Sequence, residues 1–334
     1  MADCYPLILE PIFKEKVWGG RGLERIGKVL PPGINVGESW ELADLASTSA
    51  SGGGGGSAFS VIANGELKGK TVGDAVKLWG KDLLGEVPLS LSGGFPLLVK
   101  YLDAQENLSV QVHPSIAYCK KHPEANLKTE CWYILDAKPG SVIYKGLRQG
   151  ATREDFEREL RQGDGAGVVK LLAAVPAVKG ECHNLPSGTV HALGAGVLVA
   201  EVQTPSDTTF RVYDWGRTGR DLHIEQSMEC ITFDRARDAT RHKASESISR
   251  LVTTGYFELD QVNIPAGGMF VCGEGVVGSG NRPQVLMVLA GSGVLGNDLV
   301  RAGQTVLVPV KSVGKTAIEA TVSCTILRCI VRGL

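Results

Sequence analysis

Short apolar runs punctuated by turn residues fill most of the chain, and they have strand length and strand composition. Segments 6–13 (PLILEPIF), 37–42 (GESWEL), 95–102, 109–113, 130–135, 189–193 and 196–203 all read this way. Helical periodicity interrupts the pattern in a few places. Residues 71–84 (TVGDAVKLWGKDLL) place apolar side chains at helical spacing behind Thr71 as a cap. Residues 152–160 (TREDFEREL) open on Thr152 with Asp155 at the capping-box position, and a further helical run is expected over 168–175. The pattern therefore predicts a mainly β chain with helical insertions at about 71–84 and 152–175. From about residue 248 the texture becomes short strands and glycine turns, as at 285–289, 294–295, 305–308 and 325–331. A boundary is placed in the charged segment 234–243 (DRARDATRHK), giving a first domain over 1–245 and a smaller one over 246–334.

Composition sharpens this reading. Glycine supplies 43 of 334 residues, well above an average of about 7%, which suits many tight turns between short strands. Thirty-five basic against 36 acidic residues leave a net charge of −1, so neither a nucleic-acid footprint nor a polybasic membrane anchor is expected. No apolar stretch approaches the ~20 residues needed to cross a bilayer. Residues 1–18 carry Asp3, Glu10, Lys14, Glu15 and Lys16 and lack a signal-peptide core. The eight cysteines are scattered without a C-x-x-C pair, so they are expected to be reduced thiols in a cytoplasmic protein. Segment 46–60 (ASTSASGGGGGSAFS) reads as a mobile surface loop, without the Lys-Ser/Thr ending of a phosphate-binding loop.

Candidate chemistry gathers in four segments. In Ser109-Val110-Gln111-Val112-His113 the two-residue strand period puts Ser109, Gln111 and His113 on one face. Lys128 and Glu130 stand two apart at the start of an apolar run, where a buried carboxylate needs a partner. His191 follows the turn Pro186-Ser187-Gly188 at the head of a strand. Two imidazoles, a carboxylate and an amide oxygen make a nitrogen–oxygen donor set that suits zinc, with iron or manganese as the alternatives. Segment 201–217 then supplies Glu201, Asp207, Asp214 and two arginines, Arg211 and Arg217, whose planar forks suit phosphate. The last histidine is His242, so the second domain is expected to carry no metal site.

The P-x-G-x-x-H run at Pro186 to His191 and the Q-x-H at Gln111 to His113, followed by Glu130, resemble the two halves of a cupin metal motif. Together with FPLLVKYLDAQENLSVQVHP, KTECWYIL and EVQTPSDTTFRVYDWGR, they resemble the type I mannose-6-phosphate isomerases (phosphomannose isomerases) in their shorter bacterial form. The resemblance spans essentially the whole chain, is most specific between residues 95 and 217, and leaves out the glycine run 52–56. It implies two cupin-type jelly-roll barrels and one zinc ion per chain, held by Gln111, His113, Glu130 and His191. It further implies Arg211, Lys128 and Glu201 as catalytic groups, and Ser109, Lys100, Asp207 and Arg217 around the substrate. Arg217 stands where longer relatives carry a lysine. The implied reaction interconverts mannose 6-phosphate and fructose 6-phosphate through a cis-enediol, with Glu201, Lys128 and Asp207 all open as proton carriers. A small sugar phosphate is the one partner implied, and monomer and dimer both remain open. An iron-dependent cupin oxygenase fits less well, because Gln111 and Glu130 beside Arg211 and Arg217 suit a phosphorylated sugar; a non-catalytic sugar-binding cupin would show a decayed ligand set in the first barrel, and the set there is intact.

Overall fold

A computed structural model describes residues 3–49, 55–162, 165–275 and 282–333. Three antiparallel sheets form its layers. The five-stranded sheet runs in the order Leu172–Pro176, Val142–Leu147, His191–Leu193, Val110–Val112, Phe210–Tyr213. The seven-stranded sheet runs Thr240–Arg241, Glu181–Leu185, Glu130–Ala137, Val197–Gln203, Leu98–Ala104, Val36–Leu42, Ile12–Gly20. An eight-stranded sheet gathers the strands from Ile248 onward together with the N-terminal strand Leu7–Leu9, which pairs with Thr305–Val308. Each strand order is open at both ends, so no sheet closes into a barrel among the described residues.

The alternation along the central strands decides what each layer touches. Tyr101, Cys131, Tyr133, Ala200 and Val202 point to a core shared with Leu259, Val285 and Leu327 of the eight-stranded sheet. Their neighbours Leu102, Trp132, Ile134 and Val199 point the other way, into a core with Ile143 and Leu193 of the five-stranded sheet. These strands are thus buried on both faces, and they read as continuous apolar runs for that reason. Trp132 is fully buried, and truncating such a side chain costs about 3–5 kcal/mol. The polar residues on the same inward face, Lys100, Glu130 and Glu201, are buried with it. The outer face of the five-stranded sheet is covered by a further core that includes Tyr118, Phe156 and Met228 from short helices.

Two helical expectations need correction. The run over 71–84 is split into Val72–Trp79 and Lys81–Leu84, because Gly80 takes φ 47° and ends the first helix. Its start is as expected: Thr71 accepts from the Asp74 N–H while Asp74 accepts from the Thr71 N–H. Residues 168–175 are not one helix. A 3₁₀ turn over Ala166–Leu171 gives way to the strand Leu172–Pro176, whose backbone pairs with Val142–Leu147. Helix Arg153–Arg161 is capped by Thr152, which accepts from the Asp155 N–H. The eight cysteines are free thiols. Of the glycine-rich segment, residues 50–54 lie outside the described residues, but its ends are tied. Thr48 N–H donates to Gly56 O at 2.7 Å, and Ser49 donates through N–H and Oγ to Asp207 Oδ2 at 2.6 and 2.9 Å.

Candidate metal centre and its cavity

Strand register lines up the polar groups. Across the five-stranded sheet His191 pairs with both Lys145 and Gln111, and Gln111 pairs with Arg211. Directly paired residues share a face, so Lys145, His191, Gln111 and Arg211 form one row. Across the seven-stranded sheet the row runs His183, Trp132, Glu201, Lys100, Trp40. The rows meet where the Trp132 ring stands edge-on to His191, with centroids 5.2 Å apart.

At the centre, His113, Glu130 and His191 converge, all of them buried. His113 Nε2 lies 3.3 Å from Glu130 Oε2, and His191 Nε2 lies 3.1 Å from Oε1. The other ring nitrogens face backbone carbonyls: His113 Nδ1 is 3.1 Å from Thr208 O and His191 Nδ1 is 2.8 Å from Thr189 O. A carbonyl can only accept, so both Nδ1 atoms carry the proton and both Nε2 atoms present lone pairs to Glu130. Burial first, and then the Lys128 ammonium, pushes His113 down to about 3, which keeps its ring neutral. Burial pushes the Glu130 carboxyl up, but the Lys128 ammonium outweighs it and holds the group well below the usual range. Lone pairs thus face an ionised carboxylate with no proton between them. Such an arrangement calls for a cation. Lys128 Nζ, 2.7 Å from Glu130 Oε2 and 3.1 Å from His113 Nε2, supplies part of that charge from one side. The Gln111 amide nitrogen lies 3.2 Å from His191 Nε2, and a 180° turn of the amide presents its oxygen instead.

A cavity opens beside this cluster, lined by Ser109, Gln111, Lys128, Lys100, Glu201, Asp207 and Arg211, all anticipated from the sequence. It is also lined by Lys16, Glu38, Thr209 and Arg220, which were not. Five cations face three carboxylates around it, a balance suited to a dianion. Glu201 accepts from the Trp132 indole N–H at 2.8 Å, while its Oε1, 3.3 Å from Lys100 Nζ, has no hydrogen bond. Burial alone lowers the Lys100 ammonium, but Glu201 and Glu38 raise it on balance, so it stays charged. Glu38 shares a strand face with Trp40, whose indole N–H donates to it at 2.7 Å. The two carboxylates Glu38 and Glu41 in the short strand GESWEL were the available signal for it.

Arg211 is 3% exposed and donates through Nη1 to Asp221 O at 2.8 Å, while its Nε is buried with no hydrogen-bond partner among the described residues. Burial, and then nearby Arg220, lowers this guanidinium from its ordinary value. Arg217 does not line the cavity. It bonds Asp214 Oδ1 at 2.8 Å and Asn107 O at 2.8 Å, while Arg220 forks onto the same Asp214 carboxylate at 2.6 and 2.9 Å. Arg220 thereby takes the place beside the cavity that the motif pattern gave to Arg217.

Residues 7–143 match the family described as phosphomannose isomerase type I, catalytic domain. The chain is 41% identical over 234 residues to the protein of Bacillus subtilis (strain 168) named probable mannose-6-phosphate isomerase GmuF, covering 68% of this chain and 69% of that one. It is 35% identical over 271 residues to mannose-6-phosphate isomerase ManA of the same organism, covering 78% and 79%. A crystal structure of mannose 6-phosphate isomerase from Bacillus subtilis aligns with a TM-score of 0.79 at 30% identity, covering 97% of this chain and 99% of that one.

Proposed function

The chain belongs to the type I phosphomannose isomerases, and on that premise we propose that it interconverts mannose 6-phosphate and fructose 6-phosphate through a cis-enediol. One zinc ion would be held by His113, Glu130 and His191, with the Gln111 amide oxygen as a fourth donor once the amide is turned. The observation that carries this reading is the buried Glu130 carboxylate facing two imidazole lone pairs at 3.1 and 3.3 Å, with Lys128 beside it. Bound there, the ion would supply Lewis-acid chemistry.

This chain's own residues do the rest. Lys128 and Glu201 handle the proton: one accepts it from C2 of the open-chain aldose while O1 gains a proton, giving the enediol. Return of a proton to C1 with loss of the O2 proton then leaves the ketose, so the atoms balance. Glu201 Oε1, buried beside Lys100 and otherwise unbonded, suits a group that must exchange a proton. Asp207 already accepts two bonds from Ser49 and serves to position sugar hydroxyls, together with Ser109 and Lys100. Arg211 stabilises negative charge as it develops on the enediol oxygens. Arg220 meets the phosphate, and Arg217 supports it through their shared Asp214.

Residues 1–245 form the catalytic unit and 246–334 a metal-free companion, and the stacked sheets are read as two cupin-type jelly rolls with helical insertions. The protein works on a small cytoplasmic metabolite, without nucleic acid or membrane. No helix among the described residues is long and apolar enough to cross a bilayer. The test is conversion of mannose 6-phosphate to fructose 6-phosphate by zinc-loaded protein in D₂O. Product formation with deuterium entering at C1 supports the enediol route, and absence of turnover overturns the assignment.

A further inference from the structure

The same inter-sheet space ends, on the far side of His191 and Trp132, in a second cavity of about 670 Å³. That volume falls in the roughly 300–1,000 Å³ range of small-molecule sites. It shares no lining residue with the first cavity. Register sets the partition between them: Lys145 neighbours His191 and His183 neighbours Trp132, so the second cavity begins one residue beyond the Trp132–His191 ring contact.

Its inner wall carries two polar side chains that are almost completely buried, Lys145 at 3% and His183 at 1% exposure. Lys145 Nζ donates to Arg237 O at 2.6 Å, its one hydrogen bond among the described residues, which leaves ammonium donors over. Among the described residues neither His183 ring nitrogen is hydrogen-bonded. Glu181 Oε2 lies 3.5 Å from His183 Nε2, beyond a good hydrogen bond, and Arg241 forks onto the other oxygen, Oε1. Buried donors of this kind are costly unless something accepts from them. At the rim, Arg148, Arg235 and Arg237 join Lys145 against Asp234 and Asp238, four cations to two carboxylates. Phe233, Leu147 and Val175 supply apolar wall between the polar groups.

We propose that this cavity is a second ligand site, taking the oxyanion of a small organic phosphate or carboxylate on Lys145 and His183, with its carbon skeleton against Phe233. Full-length, metal-loaded protein labelled with [15N]histidine tests this by NMR, with glycerol 3-phosphate in one titration and citrate in another. The His183 ring signals, assigned with His183→Gln, should shift saturably with at least one of the two, and the responding arm identifies phosphate ester or carboxylate. Lys145→Met should weaken the effect by roughly tenfold or more. Arg148→Glu, at an exposed rim position, should weaken it without disturbing the core. Arg211→Ala, in the first cavity, should leave it unchanged. The proposal is overturned if neither compound shifts His183 saturably up to about 20 mM. It also fails if Arg148→Glu leaves the response intact, or if Arg211→Ala abolishes it, which would mean that the signal is relayed from the first cavity.

Discussion

Replacing Arg211 with alanine should slow turnover by two to three orders of magnitude while the metal stays in place. The guanidinium is 3% exposed, anchored at Nη1 by Asp221 O, and holds its Nε–H in the cavity wall with no acceptor among the described residues. An unmade buried donor costs about 1–3 kcal/mol, and an oxygen that gains negative charge in the transition state recovers that cost more fully than a neutral carbonyl. Removing one preorganised donor of this kind raises the barrier by about 2.7–4 kcal/mol, or roughly 10²–10³ in kcat. Arg211 is not part of the His113–Glu130–His191 cluster, so zinc content should not change. Lysine at this position should restore activity only partly, since it lacks the planar fork. The assay is steady-state kinetics carried to saturation, with metal analysis of the same preparation. A raised KM with kcat within about threefold of wild type would refute the reasoning and make Arg211 a uniform substrate anchor.

His113→Ala should lose the metal, since it removes one of the two imidazoles facing Glu130; elemental analysis of the purified variant checks this, and undiminished zinc would show the ligand set to be wrong. Lys128→Met should bind zinc at least as tightly as wild type, because it removes a cation 2.7 Å from Glu130, yet lose kcat; chelator competition and kinetics on the same sample separate the two effects. His183 sits at about 4 in the fold against 6.5 in the unfolded chain, with burial as the leading cause. Between those values the unfolded chain binds more protons, so stability should be complete above pH 6.5 and fall as pH drops toward 4, by on the order of 3 kcal/mol from this group. Denaturant titrations across that range should be flatter for His183→Gln, and an unchanged slope would contradict the assignment.

Much of the site is legible in the sequence because the strands that build it are buried on both faces. In 98–104, 130–137 and 197–203 most positions are apolar, so Lys100, Glu130 and Glu201, like Asp103, stand out as buried charges that must be paired. The short spacing from Gln111 to His113 translates directly into one strand face. What connects distant segments is less visible. Nothing local in Leu7–Leu9 says that it pairs with Thr305–Val308. Nor does the Lys145 strand, Val142–Leu147, announce that it will lie beside His191. Short helices such as Ile116–Lys121 and Ile224–Cys230 span too few turns to show a clear period. Arg217 and Arg220 share one loop, and only the way both grip Asp214 decides which of them reaches the cavity. Gly80 could be read either as tolerated within a helix or as its end, and its positive φ selects the latter.

The proposed isomerisation depends on a cation held by His113, Glu130 and His191. The direct measurement follows metal content and the rate of fructose 6-phosphate formation from mannose 6-phosphate together, in one sample of wild-type protein. The sample is taken through exhaustive chelation and then stepwise return of zinc. Activity should fall with the metal, recover in proportion to zinc bound, and reach its plateau at one ion per chain. Full turnover in protein verified to be metal-free, or recovery that tracks a second ion bound elsewhere, would contradict it.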